Sequence, residues 1–312
     1  MANDRYWIDR NEAEKQIVEE LKRDEIFRKN ITELYQSTLD DIQNDLDREL
    51  GFLANKESVS LADAQKTIKE TDVNRFGRLA KRMTNNQDFS DLANKYLRRY
   101  NVTMRTSRLE LMQAYINAHV TNLANTEEIM TTGYLTETAE RELVRQSGIL
   151  NESAPSKQRI ATVAKAIVTA DFQGVKFSDR IWSNQDDLQA DLYKAVRQGL
   201  IQGKNPRVTA REINRNARDL MVGSPKKNNQ NAKYVAERLA ITESARVQTS
   251  VQKETLKTNG YTEYEYIAEP TACHICHELD GKIFKVSEME SGVNAAPMHP
   301  FCRCSTASHM SR

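Results

Sequence analysis

The chain is poor in the residues that break or staple a fold. Its 312 residues include 6 prolines, 11 glycines, 4 cysteines and 2 tryptophans. Scarce proline and glycine beside plentiful Glu, Lys, Gln and Ala favour long helices. No apolar run approaches the roughly 20 residues that a spanning helix needs, so no membrane partner is expected. Neither sign of charge prevails: 45 Lys and Arg stand against 44 Asp and Glu, a formal net charge of +1. No global field therefore draws the chain to nucleic acid, and any such affinity must be local. There is no Gly-rich phosphate loop, no serine triad pattern and no acidic set for two metals. An enzyme is the least supported class, with no catalytic residue and no small-molecule substrate assigned.

The few cysteines are concentrated. All four, with four of the five histidines, fall between positions 273 and 309. Cys273 and Cys276 form a Cys-x-x-Cys knuckle, and His299 and Cys302 form a His-x-x-Cys knuckle followed by Cys304. Two such turns can close a tetrahedral zinc site. Four ligands suffice, and the favoured set is Cys273, Cys276, His299 and Cys302, with Cys304 the substitute. Residues two apart on an extended segment share a face, so orientation excludes neither Cys302 nor Cys304. His274 and His277 are expected outside the site.

A filled four-ligand site leaves no position for substrate, so the expected role is structural. Metal binding can contribute about 10 kcal/mol to folding a small module. A redox dithiol is the competing reading. It is disfavoured because a turn and a strand are expected after Cys276 where a redox motif would open a helix, and because no leader opens the chain. The enzymatic alternative, a zinc-dependent nuclease or other DNA-processing hydrolase, would need Glu278 or Asp280 as general base.

Further residues carry a family resemblance. Leu239-Ala-Ile-Thr-Glu243-Ser-Ala-Arg246, then Gly260-Tyr-Thr-Glu-Tyr-Glu-Tyr266, the first knuckle, Leu279-Asp-Gly-Lys-Ile-Phe284 and His299-Pro-Phe-Cys-Arg-Cys304 stand in that order. This resembles the C-terminal signature of the Mu F-like head morphogenesis proteins of tailed phages, over about residues 178–306. The Tyr6-Trp7-x-x-Arg10 opening is similar to minor capsid proteins of Gram-positive phages. The resemblance implies a minor head protein of the virion, held inside the capsid near the portal after assembly in the host cytoplasm. Its partners would be the portal protein, the major capsid protein or a scaffold, with DNA packaging or ejection among its implied roles.

Along the chain, Ile17, Leu21, Phe27, Ile31, Leu34, Leu39, Ile42, Leu46, Leu50 and Leu53 recur as a helical stripe. Capping signals at Ser60 and Ser90, and a loop at Asn85 to Asp88, divide the helices that follow. His119 on an apolar stretch reads as a core histidine, and Trp182 as a core anchor. A helix from Thr136 to Gln146 is expected to end at Gly148 in the left-handed region. Residues 151–156 are the best linker. They divide an elongated helical domain, 1–150, from a head-morphogenesis-like domain, 151–312, whose zinc module covers about 261–306.

Beyond the linker, Gly199 and Gly203 suggest a frayed helix end. Arg207, Arg211, Arg215 and Arg218 line one side of the next helix, flanked by Lys226 and Lys227. That stripe could neutralise phosphates of phage DNA without sequence preference, although a solvated face partly paired with Glu212 and Asp219 is the stronger expectation. Glu243 and Arg246 are expected to pair and brace the zinc module. Tyr264 and Tyr266 lie on one face of a short strand whose antiparallel partner is Ile283 to Val286. The predicted fold is mainly α, with long N-terminal helices and a small α+β C-terminal module whose β-hairpin is stapled by the zinc knuckle.

Overall fold

The computed structural model describes residues 2–52, 64, 74–79, 81, 107–150, 155–202, 204–223 and 230–309, with the side chains of 2–9 left aside. The expected caps at Ser60 and Ser90, the loop at Asn85, Leu53 of the stripe and the side chains of Tyr6 and Trp7 lie outside that description, as do residues 151–154 of the linker. The fold is mostly helical, with one small antiparallel sheet near the C-terminal end. Among the described residues no helix is long and apolar enough to cross a membrane.

Helix α1 (Ala2–Gly51) runs 50 residues. Its sequence contains no proline and meets its first glycine only at the last position. Helix α2 (Arg108–Ile149) is a single 42-residue element where two helices were expected. Gly148 stays helical within it, because a glycine near a helix end permits but does not force the left-handed turn. Helices α3 (Lys157–Val168), α4 (Phe177–Ile201), α5 (Pro206–Met221) and α6 (Ala232–Thr258) follow. Ser156 caps α3 by accepting from Arg159 N at 3.3 Å, and Asn205 caps α5 by accepting from Arg207 N at 3.0 Å.

Two compact units interleave along the chain. Unit 1 comprises Met1–Lys29, Met130–Phe177 and Glu237–Arg312, and unit 2 comprises Asn30–Ile129 and Ser178–Ala236. The sequence boundary at 151–156 is a different partition of the chain.

In unit 2, Ile31, Tyr35, Leu39, Ile42, Leu46 and Leu50 of α1 are buried. Gly199 is not fraying there: a Cβ in its place would lie 2.7 Å from Ile213 Cγ1, so it permits the close approach of α5 to α4. His119 is buried with Nε2 at 2.8 Å from Asp45 Oδ2, and buried Trp182 donates to Glu128 Oε2 at 2.8 Å. Both serve the core, as the sequence indicates.

Unit 1 ends in the sheet. Helix α6 stops at Gly260, whose φ is +74°. Tyr261 N then donates to Leu256 O at 3.0 Å and Gly260 N to Lys257 O at 3.1 Å, satisfying the last carbonyls of the helix. Strand β1 (Glu263–Ile267) follows, then helix α7 (His274–Leu279), strand β2 (Ile283–Lys285) and strand β3 (Ser305–His309). The expected antiparallel pairing is present, Tyr264 opposite Phe284, but β3 adds a third strand on the other edge, in the order β2-β1-β3.

Both faces of β1 are covered. Tyr264 packs with Leu256, Val286, Met289 and Ala295, while Ile267 on the opposite face packs against Ala13 and Ile17 of α1. Glu265 on that second face is buried, and Arg10 meets it at 2.6 Å. An arginine with its own second partner, Asp280 at 3.2 Å, thus neutralises a carboxylate that the strand carries inward.

Candidate metal centre

The site is assembled from two turns hung on the sheet. The first knuckle does not lead straight into a turn as expected: Cys273 precedes the six-residue α7, and Cys276 sits inside it, fully buried. The short helix ends at Asp280, and Gly281, with φ +74°, reverses the chain into β2. Gly281 N is anchored to Tyr266 O at 2.9 Å, so the first knuckle is fixed to β1.

The second knuckle is a tight loop in which Phe301 adopts a left-handed φ of +63°. That turn lets Cys302 N donate back to His299 O at 3.2 Å, while Phe301 N donates to Thr242 Oγ1 at 3.3 Å. Thr242 is therefore an α6 residue that meets the knuckle. The Glu243–Arg246 pair, at 2.6 Å, faces elsewhere: Arg246 donates to Ile167 O at 3.1 Å and caps the carbonyl end of α3. Orphan carbonyls at that helix end favour the positive guanidinium.

All five predicted ligands converge. Ligand atoms of Cys273, Cys276 and His299 lie within 4.8 Å of one another, and so do those of Cys276, Cys302 and Cys304. Cys276 belongs to both groups. Its Sγ stands 3.9 Å from Cys302 Sγ and 3.4 Å from His299 Nε2. Sulfurs bound at ~2.3 Å to one tetrahedral zinc would be separated by about 3.8 Å, and a sulfur and a nitrogen by about 3.5 Å. The spacing of these side chains is that of coordination edges. His299 Nδ1 lies 2.8 Å from Pro300 O, which occupies that nitrogen as a donor and leaves the Nε2 lone pair for a metal.

The four cysteines are free thiols. Hydrogen bonds from Cys276 and Cys304 pull the Cys302 thiol well below its ordinary pKa, whereas the hydrogen bond to Cys302, with burial, pushes Cys276 and Cys304 far up. Left to itself the group of Cys276, Cys302 and Cys304 favours one thiolate and resists a second. A divalent cation removes that resistance, and a donor set of thiols and imidazole without carboxylate suits a borderline-soft ion.

Tyr266, which the sequence places on one face of a short strand, belongs to the same cluster. Its ring is buried among Cys276, Cys302, Cys304 and Ala296. The alternation of β1 placed it on the inner face; nothing in the sequence showed that the thiols would surround it.

Arg303, between Cys302 and Cys304, was also not singled out. It is 2% exposed and donates to Asp24 of α1 through Nε at 2.6 Å, to Tyr134 OH of α2 at 2.8 Å and to Ser244 Oγ of α6 at 3.2 Å. Gln252 of α6 holds β3, donating to Ser305 Oγ at 3.0 Å and accepting from Thr306 Oγ1 at 2.8 Å.

The candidate nucleic-acid residues lie in unit 2. Arg207, Arg211, Arg215 and Arg218 are all exposed on α5, opposite the buried Pro206, Thr209, Ile213, Ala217 and Met221. Glu212, expected to pair with the stripe, is instead taken by Lys204 at 2.5 Å. Lys226 and Lys227 lie outside the described residues.

The fold and the site together define a mainly helical protein that ends in a compact module able to hold a metal. Residues 190–307 match the family model of the phage Mu protein F like proteins, a stretch that contains the whole cluster and the second half of α4. That stretch is Mu F-like, and the match supports a phage head morphogenesis protein. Comparisons with curated proteins and with solved structures found no match.

Proposed function

We propose that this is a phage minor head protein, held in the capsid interior near the portal and acting in head morphogenesis, with a part in DNA packaging or ejection. The observation that carries the reading is the coincidence of the family match with the thiol cluster inside one stretch of chain. The portal protein is the first partner to test, with the major capsid protein or a scaffold next.

In this reading the module holds one structural zinc through Cys273, Cys276, His299 and Cys302, with Cys304 beside them. Bound there, the ion supplies no reactive position; it ties two turns and the sheet edge into one body. A non-catalytic role is supported by Asp280, a carboxylate beside the first knuckle. It accepts from Ala268 N at 2.9 Å and from Arg10, and so is occupied in holding the turn. The exposed Arg207, Arg211, Arg215 and Arg218, with Lys226 and Lys227 by sequence, would contact DNA phosphates without sequence preference.

Mass spectrometry of purified virions, with co-purification of the full chain and the co-expressed portal protein, tests the proposal. Presence in heads and a stable portal complex are expected. Absence from both virions and head assembly intermediates would overturn it. The division into 1–150 and 151–312 belongs to the same proposal. A protease cutting at 151–154 should give two fragments that stay together, because unit 1 draws its core from both sides of the cut.

A further inference from the structure

Tyr266 is 0% exposed, and among the described residues its hydroxyl makes no hydrogen bond of normal geometry. A buried phenol O–H left unpaired costs about 1–3 kcal/mol. The groups its oxygen faces are the thiols of Cys276 and Cys304. A neutral thiol is a weak acceptor, whereas a metal-bound thiolate accepts a charge-assisted hydrogen bond. The orphan donor and the excess of sulfur have one common remedy.

We infer that Tyr266 is a positioning residue for the metal centre, donating its O–H to a thiolate sulfur at the Cys276–Cys304 side of the cluster. This rests on the metal reading above and extends it to a residue outside the ligand set. The strand supplies the precision. Tyr266 N donates to Lys282 O at 2.9 Å and its carbonyl accepts from Gly281 N at 2.9 Å, so its backbone is clamped to the turn that carries the first knuckle. Cys276 lies in the short helix just before that turn. The hydroxyl and the sulfur are thus held in register by backbone bonds on both sides.

The hydrogen bond has two consequences. It disperses charge on the thiolate, so a proton competes less well with the metal for that sulfur. It also fixes the sulfur's direction before the metal arrives. Loss of partners of this kind typically weakens metal binding about 10- to 100-fold.

The test uses the full chain purified with zinc, and Tyr266→Phe, which keeps the ring and removes only the hydroxyl. Tyr266→Phe should bind the same one equivalent of metal, release it to a chelator about 10-fold faster or more, and lose it at a higher pH. In the cobalt-substituted proteins the thiolate charge-transfer band should shift between the two forms, a change that packing alone would not produce. Identical release, pH midpoint and charge-transfer band in both proteins would overturn the inference while leaving the metal site standing. Absence of metal from the wild-type chain would overturn the metal reading, and this inference with it. Should Tyr266→Phe fail to fold, NMR of the cadmium-loaded wild type decides. Coupling between the Tyr266 hydroxyl proton and cadmium supports the inference; its absence where the cysteine protons do couple overturns it.

Discussion

Arg303 and Asp24, 279 positions apart, form a two-armed ion pair in the interior of unit 1. Arg303 is the single residue between Cys302 and Cys304, so the first helix is bonded to the very loop that offers the thiols. Tyr134 also donates to Asp24, and Ser244 closes the far side of the guanidinium. The guanidinium is thereby bonded to three helices, α1, α2 and α6.

Such a pair contributes little net stability when intact but a large loss when one partner goes, because the other charge stays buried. Asp24→Asn should therefore destabilise the protein by about 3–5 kcal/mol, measured by chemical denaturation. Asp41→Asn, at an exposed position on the same helix, should change stability by less than about 0.5 kcal/mol. A loss at Asp24 no greater than at Asp41 would mean that the pair is not formed in solution.

Unit 2 contains a carboxyl with the opposite kind of environment. Glu127 is fully buried, with no cation beside it, and burial raises its pKa from 4.5 to about 7 despite hydrogen bonds from Tyr35 and Gln185. The folded state then holds a proton that the unfolded state has released. Stability from this group is full below pH 4.5 and is lost as pH rises toward 7, at up to about 1.4 kcal/mol per pH unit. Denaturation across that interval should show the decline, and Glu127→Gln should flatten it. A wild-type curve without slope there would place the carboxyl in a wetter setting than its burial indicates.

How much of this was legible beforehand follows from where each constraint is written. The knuckles are written in residue type and spacing, so all five ligand candidates could be named and all five converge. Strand β3 is not: Ser305-Thr-Ala-Ser-His309 shows no apolar alternation, and it is a strand because β1 offers a second edge. Glu265 is buried because Arg10, 255 residues away, meets it. The continuity of α2 and the close packing at Gly199 also depend on neighbours that a local pattern cannot supply.

The sequence leaves Cys302 and Cys304 open as the fourth ligand, and Cys276 is common to both groups of candidate ligands. Cys276 shares close spacing with both His299 and Cys302, whereas Cys304 is grouped with Cys276 and Cys302 but not with His299. Cys276→Ser should abolish metal binding, measured as metal content per chain, and lower the stability of the C-terminal module. Cys304→Ser should retain one equivalent. Loss of metal from Cys304→Ser would make Cys304 a ligand.

The arginines of α5 separate a DNA-contacting face from a merely solvated one. All four are exposed, and the face opposite them supplies the packing, so replacing them together with Gln should leave the melting temperature within a few degrees. If they contact phosphates, the wild type should bind duplex DNA with an affinity that falls steeply as salt rises, and the fourfold variant should lose both the affinity and most of the salt slope. Each phosphate contact removed should lower that slope by about one. Equal binding by the two proteins would leave α5 as a solvated face, and a DNA role would then have to rest on residues elsewhere in the chain.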